Sequence, residues 1–298
     1  AKLISDIVRR LPAETVSIDT NEKLMTTIIS GAVDFKIIGM SADEYPDIPS
    51  VKGDSNIIIK GEILSSMISQ TLFAIADSDI KPVQKGSLFE IESNIIKIIS
   101  VDGYRLAMRT ENLICGEKKS FIIPGKSLAE VVKLIKDNEK DVEIVVGDKH
   151  IIFKIDNYSV ISRLIEGEFM NYSAAIPSSH KTEIKVNTRK FISSLDRMSL
   201  LLSERIKTPV RCNIENGVVK LSCSTVLGQA YDEFDIEMSG DSVEIGFNVR
   251  YMLDALRNTD TDEVKICLSG PTSPMVILPS DGDSFLFLVL PVRLKNEN

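Results

Sequence analysis

The 298-residue chain contains no tryptophan and only two histidines, His150 and His180. Imidazole is the commonest metal ligand and the usual proton shuttle near neutral pH, so this scarcity narrows both chemistries. The four cysteines, Cys115, Cys212, Cys223 and Cys267, include no CxxC pair. Thiols scattered through a chain of this length argue against a disulfide framework and for a reducing, cytoplasmic compartment. No apolar run approaches the ~18–20 residues that a membrane span needs. The opening AKLISDIVRRLP has no apolar stretch of the signal-peptide kind. Neither GxxxxGK(S/T) nor GxGxxG occurs, so no phosphate cradle is legible.

The remaining hints of chemistry are thin. Ser178 to Lys181 fits an SxxK acylase pattern but stands in a polar stretch without its companion motifs. Asp260, Asp262 and Glu263 lack the Gly and the terminal Glu of a calcium loop. The sequons at Asn157 and Asn171 carry no meaning without secretion. His150, after Gly147-Asp148-Lys149, reads as part of a hairpin turn. No nucleophile with a base and an orienting group is evident, so the expectation is no catalytic residue, no metal and no cofactor.

What is present is a repeat. KLISDIVR at 2–9, KSLAEVVK at 126–133 and RYMLDALR at 250–257 share one pattern: basic, any, aliphatic, any, acidic, aliphatic or Ala, aliphatic, basic. Their starts are 124 residues apart both times. A second helical type, ILSSM at 63–67, recurs as FISSL at 191–195, each leading into an apolar stretch, LFAIA at 72–76 and LLLS at 200–203. FEIESNIIKIISVDGYRLA at 89–107 lies over CNIENGVVKLSCSTVLGQA at 212–230, with turns expected at Ser93-Asn94 and Asn216-Gly217. Strands are expected at 16–18, 142–146 and 264–268. The chain therefore reads as alternating half-units, each a helix followed by about three strands, two of which pair into an α+β domain. Polar stretches after Pro49 and Pro177 mark boundaries, giving domains at 1–54, 55–181 and 182–298. The chain lacks an initiator Met and opens inside a helical pattern, so residues 1–54 are expected to be only the second half of a domain.

Charge is unevenly spread. The net charge is −8 and the pI about 5.1, which taken alone argues against a nucleic-acid partner. The five helical segments 1–12, 60–77, 124–137, 187–205 and 248–259 nevertheless sum to +5, leaving −13 on the rest. In the first helical type the basic, acidic and basic positions share one face. Lys126, Glu130 and Lys133 are thus expected in solvent, with Leu128, Val131, Val132 and Ile135 against a sheet. Ile4, Ile7, Val8 and Leu11 form the apolar face of the first helix. For one helix this is ordinary solvated decoration; repeated along one side of a sheet, it makes a basic inner surface a reasonable hypothesis.

These residues resemble a known family. VDGYRLA at 101–107, VEIGFNVRYMLDAL at 243–256, EGEFMNYSAAIP at 166–177 and the ending LVLPVRL at 288–294 are similar to segments of the bacterial sliding clamp, the beta subunit of DNA polymerase III. The resemblance implies a DNA-clamp fold, with helices lining a hole and sheets forming the outer wall. It implies a head-to-tail homodimer ring loaded on duplex DNA by a clamp loader. That ring tethers the polymerase III alpha subunit and other polymerases, with no activity of its own. An acidic outside and a basic inside then coexist, because screening acts over ~8 Å at physiological salt.

The same resemblance implies a partner-peptide cleft between the second and third domains. One wall is Val101, Gly103, Tyr104, Arg105 and Leu106. Asn248 and Tyr251 lie on the third-domain side, with Pro274 and Met275 from the preceding strand. The terminal strand completes it with Leu288, Leu290, Pro291, Val292, Arg293 and Leu294. Tyr104 stands where some members have His; Met170 and Ala174 stand where some carry Pro and a basic residue. Cations expected toward DNA are Lys2, Arg9, Arg10, Lys126, Lys133, Arg197, Arg250 and Arg257. The subunit interface is expected at Phe35 and Ile37 on one side and Leu201 and Leu202 on the other; the full-length protein is expected to be a dimer and a true fragment to dimerise poorly. Two other readings compete: a repeat-built scaffold that never touches DNA, supported by the net charge, and a hydrolase at Ser178 to Lys181 or near Asp260. An inward basic helix set separates the first from the clamp reading; a pocket with a titrating pair would revive the second.

Overall fold

A computed structural model of the chain describes residues 2–45, 55–78, 80–92, 94–113, 118–136, 139–202 and 208–294. Pro49, Ser93, Cys115, the 54/55 boundary and the tail Lys295 to Asn298 therefore lie outside the described residues in whole or part. The chain divides into two compact units, residues 1–50 and 51–298.

In the first unit, helix α1 (Lys2–Val8) precedes the antiparallel meander β1 (Ser17–Thr20), β2 (Met25–Ser30) and β3 (Val33–Ile38). The expected apolar face of α1 is only partly realised: Ile7 is buried, but Ile4 and Val8 are exposed. Three short strands and a two-turn helix offer too little surface to cover one another. Among the described residues of this unit, Ile7 and Ile28 are the buried apolar ones.

The second unit repeats one motif twice. The first copy runs β4 (Ser55–Lys60), α2 (Gly61–Leu72), β5 (Gly86–Glu92), β6 (Ile95–Val101), β7 (Arg105–Asn112), β8 (Lys119–Pro124), α3 (Gly125–Leu134), β9 (Asp141–Val146), β10 (His150–Ile155) and β11 (Tyr158–Arg163). The second copy runs β12 (Thr182–Asn187), α4 (Thr188–Ser199), β13 (Val210–Glu215), β14 (Val218–Thr225), β15 (Gly228–Asp235), a short extra strand β16 (Glu237–Gly240), β17 (Val243–Phe247), α5 (Val249–Arg257), β18 (Glu263–Leu268), β19 (Met275–Pro279) and β20 (Phe285–Val289). Sheet order repeats as well. β11-β10-β9-β4 matches β20-β19-β18-β12, and β7-β6-β5-β8 matches β15-β14-β13-β17.

Local sequence explains the elements. In α2, Leu64, Met67, Ile68 and Thr71 are buried at helical spacing; in α4, Phe191, Ser194, Leu195 and Met198 are. Asn187 accepts a hydrogen bond from the Lys190 N–H at 3.0 Å and so starts α4. Asn216 and Gly217 both have positive φ, 52° and 76°, as a two-residue hairpin between β13 and β14 requires. The helices stop earlier than the apolar stretches 72–76 and 200–203 imply, at Leu72 and Ser199. Those stretches still pack as turns: Ala74 is fully buried, and the Phe73 ring meets Phe287 edge-on at 5.3 Å.

The two copies are fused by β20, which pairs antiparallel with β7, Leu288 opposite Leu106. This makes one nine-stranded sheet, β16-β12-β18-β19-β20-β7-β6-β5-β8. The expected domains 55–181 and 182–298 are thereby one compact unit. One core lies under α2 and α3, another under α4 and α5, and the two helix pairs each pack together.

Candidate functional site

A third apolar cluster occupies the other face of the nine-stranded sheet, around the β20–β7 seam. Val101, Leu106 and Leu288 are buried in it, with Leu88, Ile99, Ile122 and Tyr172, while Leu286, Leu290, Phe169 and Ile176 pack half-exposed at its margin. Strand alternation explains the set: Leu106, Leu286 and Leu288 face this side, and Ala107, Phe287 and Val289 face the inner core. The Tyr172 hydroxyl donates to Glu90, and burial followed by that carboxylate pushes its pKa well up.

The VDGYRLA segment is a capped turn. Asp102 accepts from the Tyr104 and Arg105 N–H groups at 2.8 and 3.0 Å, and Gly103 supplies φ +92°. Tyr104, 60% exposed, stacks on Tyr251 of α5 with centroids 6.0 Å apart. The Leu290 N–H donates to the Tyr104 carbonyl at 2.9 Å. The chain end crosses β17: Pro291 bridges to Phe247, and the Val292 N–H donates to the Gly246 carbonyl at 2.8 Å. A Cβ on Gly246 would lie 2.5 Å from the Val292 oxygen and 2.6 Å from Leu294, so this crossing requires glycine. Leu290, Pro291, Val292 and Leu294 are half-buried, Arg293 is exposed and Pro274 is half-buried. Met170 is 40% exposed, its sulfur 3.9 Å from the Gln84 amide.

Several expected cleft residues stand elsewhere. Arg105 points away from Leu106, because neighbours on a strand alternate. Its guanidinium is tied to Asp102 at 2.9 Å and to Asp254 of α5, and lies 4.7 Å over the Tyr251 ring. Met275, opposite Val289 in register, belongs to the inner core. The Asn248 side chain caps α5 by accepting from the Arg250 N–H at 2.9 Å. Sequence reading had not counted Tyr172 and Leu286 among the cleft residues, although Tyr172 lies in EGEFMNYSAAIP and Leu286 alternates with Leu288.

The expected DNA-facing cations are all exposed: Lys2, Arg9, Arg10, Lys126, Lys133, Arg197, Arg250 and Arg257. Lys126 and Lys133 project from α3 opposite buried Leu128 and Val131, as expected. Lys133, Arg257 and Arg197 meet carboxylates, and one of these, Asp232, lies outside the helical segments of the charge sum. Lys133 pairs with Glu130 at 2.7 Å, Arg257 of α5 with Asp196 of α4 at 2.6 Å, and Arg197 with Asp232 of β15 at 2.9 Å through Nε. At the expected subunit interface, Phe35 is 40% exposed on the edge strand β3 and Ile37 half-buried, while Ile38 is 81% exposed. Leu201 and Leu202 pack half-buried against their own core, and Leu200 is the residue that projects.

The comparisons with known proteins match this architecture along its length. Family models describe the N-terminal, central and C-terminal domains of the DNA polymerase III beta subunit, and they match residues 1–49, 58–171 and 173–293. The chain belongs to the bacterial sliding-clamp family. A beta sliding clamp of Staphylococcus aureus is 35% identical over 291 residues, which is 97% of this chain and 77% of that protein. A DNA polymerase sliding clamp from Bacillus subtilis superposes with TM-score 0.93 at 32% identity, covering 99% of this chain and 79% of that one. A DNA polymerase III beta subunit from Eubacterium rectale superposes with TM-score 0.92 at 36% identity, covering 98% and 79%. The likeness confirms the DNA-clamp fold that the resemblance implied.

Proposed function

We propose that this clamp-family chain is a non-catalytic processivity subunit, which with a second copy closes a ring around duplex DNA and holds DNA polymerase on its template. The observation that carries the reading is the β20–β7 seam. By the repeat, β15 is the counterpart of β7, and β3 and β11 are counterparts of β20. The β15 and β3 edges thus repeat a pair that already exists within one chain. A β3 edge from one copy meeting a β15 edge from another is a head-to-tail contact of the kind that closes rings. Exposed Phe35, Ile38 and Tyr231 give those edges apolar surface to cover. The interface is proposed along the two strands, with exposed Leu200 beside the half-buried Leu201 and Leu202.

Three clamp domains at 1–54, 55–181 and 182–298 fit the repeated strand order. DNA contact is sequence-independent and electrostatic, through the helix cations. The scaffold reading rests only on the negative net charge, which the helix faces do not share. The apolar cluster at the seam suits a short extended peptide with a polar anchor and one or two Leu or Phe side chains. Each such side chain contributes ~1.5–3 kcal/mol when fully buried. Ordering the peptide offsets much of this, so affinity is roughly micromolar. The polymerase alpha subunit and a clamp loader are the expected carriers of that peptide. Buried free cysteines fit a cytoplasmic location, and among the described residues no helix is long and apolar enough to cross a membrane.

The test is fluorescence-anisotropy titration with a Gln-Leu-x-Leu-Phe type peptide. Removal of residues 290–298 should abolish binding, and removal of Lys295 to Asn298 should change it little, with circular dichroism verifying the fold. A folded 290–298 deletion that binds like the parent would overturn the site. Loaded protein should also remain on circular DNA and slide off linear DNA.

A further inference from the structure

Away from the seam, the same outer face of the nine-stranded sheet holds a polar cluster that spacing in the sequence does not reveal. Glu183 of β12 and Cys267 of β18 are directly opposed in register, so their side chains share a face. Their strand neighbours Ile184, Ile266 and Leu268 point into the inner core, which turns Glu183 and Cys267 outward. His180, in the segment leading into β12, brings its Nε2 to 3.3 Å from Glu183 Oε2. The imidazole, carboxylate and thiol ligand atoms all lie within 4.8 Å of one another. His180 and Cys267 also border a cavity of about 150 Å³, with Ser179, Ser269 and Lys265 on its walls.

We propose that His180, Glu183 and Cys267 form a three-ligand site for a zinc-class divalent metal ion, with water from the adjoining cavity in the fourth position. The donor set selects the ion. One nitrogen, one oxygen and one sulfur suit a borderline-soft metal, whereas calcium and magnesium demand six or more oxygens. Bonds of about 2.0–2.3 Å in a tetrahedron place donors roughly 3.3–3.8 Å apart. His180 Nε2 and Glu183 Oε2 already stand at such a separation, 3.3 Å, and the widest of the three separations is at most 4.8 Å. The cavity has room for water. As the sulfur–metal bond forms, the thiol proton leaves to solvent. Lys265, on the same wall, is the one opposing charge among the cavity-lining residues. A bound ion would brace the 178–181 segment against β12 and β18, next to Ile176 and Leu286, which border both this cavity and the apolar cluster.

The experiment titrates the metal-free 298-residue protein with Co2+, a spectroscopic stand-in for zinc, and with Zn2+ against a chelating dye. One equivalent of Co2+ should produce a thiolate-to-cobalt charge-transfer band and four-coordinate ligand-field bands. Cys267→Ser should remove the charge-transfer band. His180→Asn, at an exposed position that cannot disturb the core, should weaken Zn2+ binding at least tenfold. Lys265→Met should strengthen it. Absence of the band in the parent protein, its survival in a folded Cys267→Ser variant, or unchanged zinc affinity in His180→Asn would each overturn the proposal.

Discussion

Strands β3 and β20 hold the same place in the repeat, the third strand after a helix of the first type, yet they live in opposite surroundings. In β20, Phe285, Phe287, Leu288 and Val289 are buried. In β3, Phe35 is 40% and Ile38 81% exposed. β20 is apolar throughout, whereas β3 interleaves its apolar residues with Asp34 and Lys36; the neighbours differ as well. β20 is hydrogen-bonded to β19 on one side and β7 on the other, while β3 has β2 alone. An apolar strand with an open edge is a surface awaiting a partner. The pair therefore shows within one molecule what a covered edge and an uncovered edge of the same design look like.

The largest effect should come from attacking the covered member. Phe287→Ala should cost about 3–5 kcal/mol in denaturant unfolding, because the cavity opens beside Phe73 and Phe285 where little can collapse. Phe35→Ala on the open edge should cost less than about 1 kcal/mol by the same measurement; equal losses would break the comparison. Next in size, Phe35→Asp with Ile38→Asp should weaken self-association by about two orders of magnitude in sedimentation equilibrium, since it places charge where an apolar edge is to be covered. Unfolding of residues 51–298 should be unchanged. At the seam, Leu290→Asp should weaken peptide binding about tenfold, or about 1.4 kcal/mol, by anisotropy.

A smaller effect concerns β15, the other open edge. Burial would raise the Asp232 pKa, but hydrogen bonds donated by the Ser194 hydroxyl and the Arg197 guanidinium, with the charge of the latter, hold it below the usual value. A depressed carboxylate stabilises the fold above its unfolded pKa of about 3.9, and that contribution disappears as pH falls through the folded value. Asp232→Asn should therefore cost about 1 kcal/mol at pH 7 and progressively less below about pH 4, read by urea melts across pH. Smallest of all, Lys126→Ala should reduce the salt slope of DNA binding by at most about one unit, the share of a single phosphate contact.

The seam also divides what was legible from what was not. Leu288 and Leu106 could be read as cleft residues because both lie in the motifs that carry the family resemblance. Arg105, next to Leu106 on β7, is turned to the opposite face by strand alternation, and only the tertiary structure shows that Asp254 of α5 holds it there. The resemblance implied Met275 together with Pro274 in the cleft, but its register with Val289 turns it inward. The helix cations were correctly exposed, while their carboxylate partners on other elements, Asp196 and Asp232, were out of reach of a charge count along one helix.

The sequence by itself determined the repeat, the faces of α3, the Asn216-Gly217 hairpin and the family, because each is written in contacts a few residues apart or in a spacing that recurs. Only the tertiary structure decided which strands are covered, which face each side chain of β7 and β19 takes, and that His180 and Glu183 meet Cys267. Those outcomes depend on the register between strands far apart in the chain, and a one-residue shift in register would send every side chain to the other face.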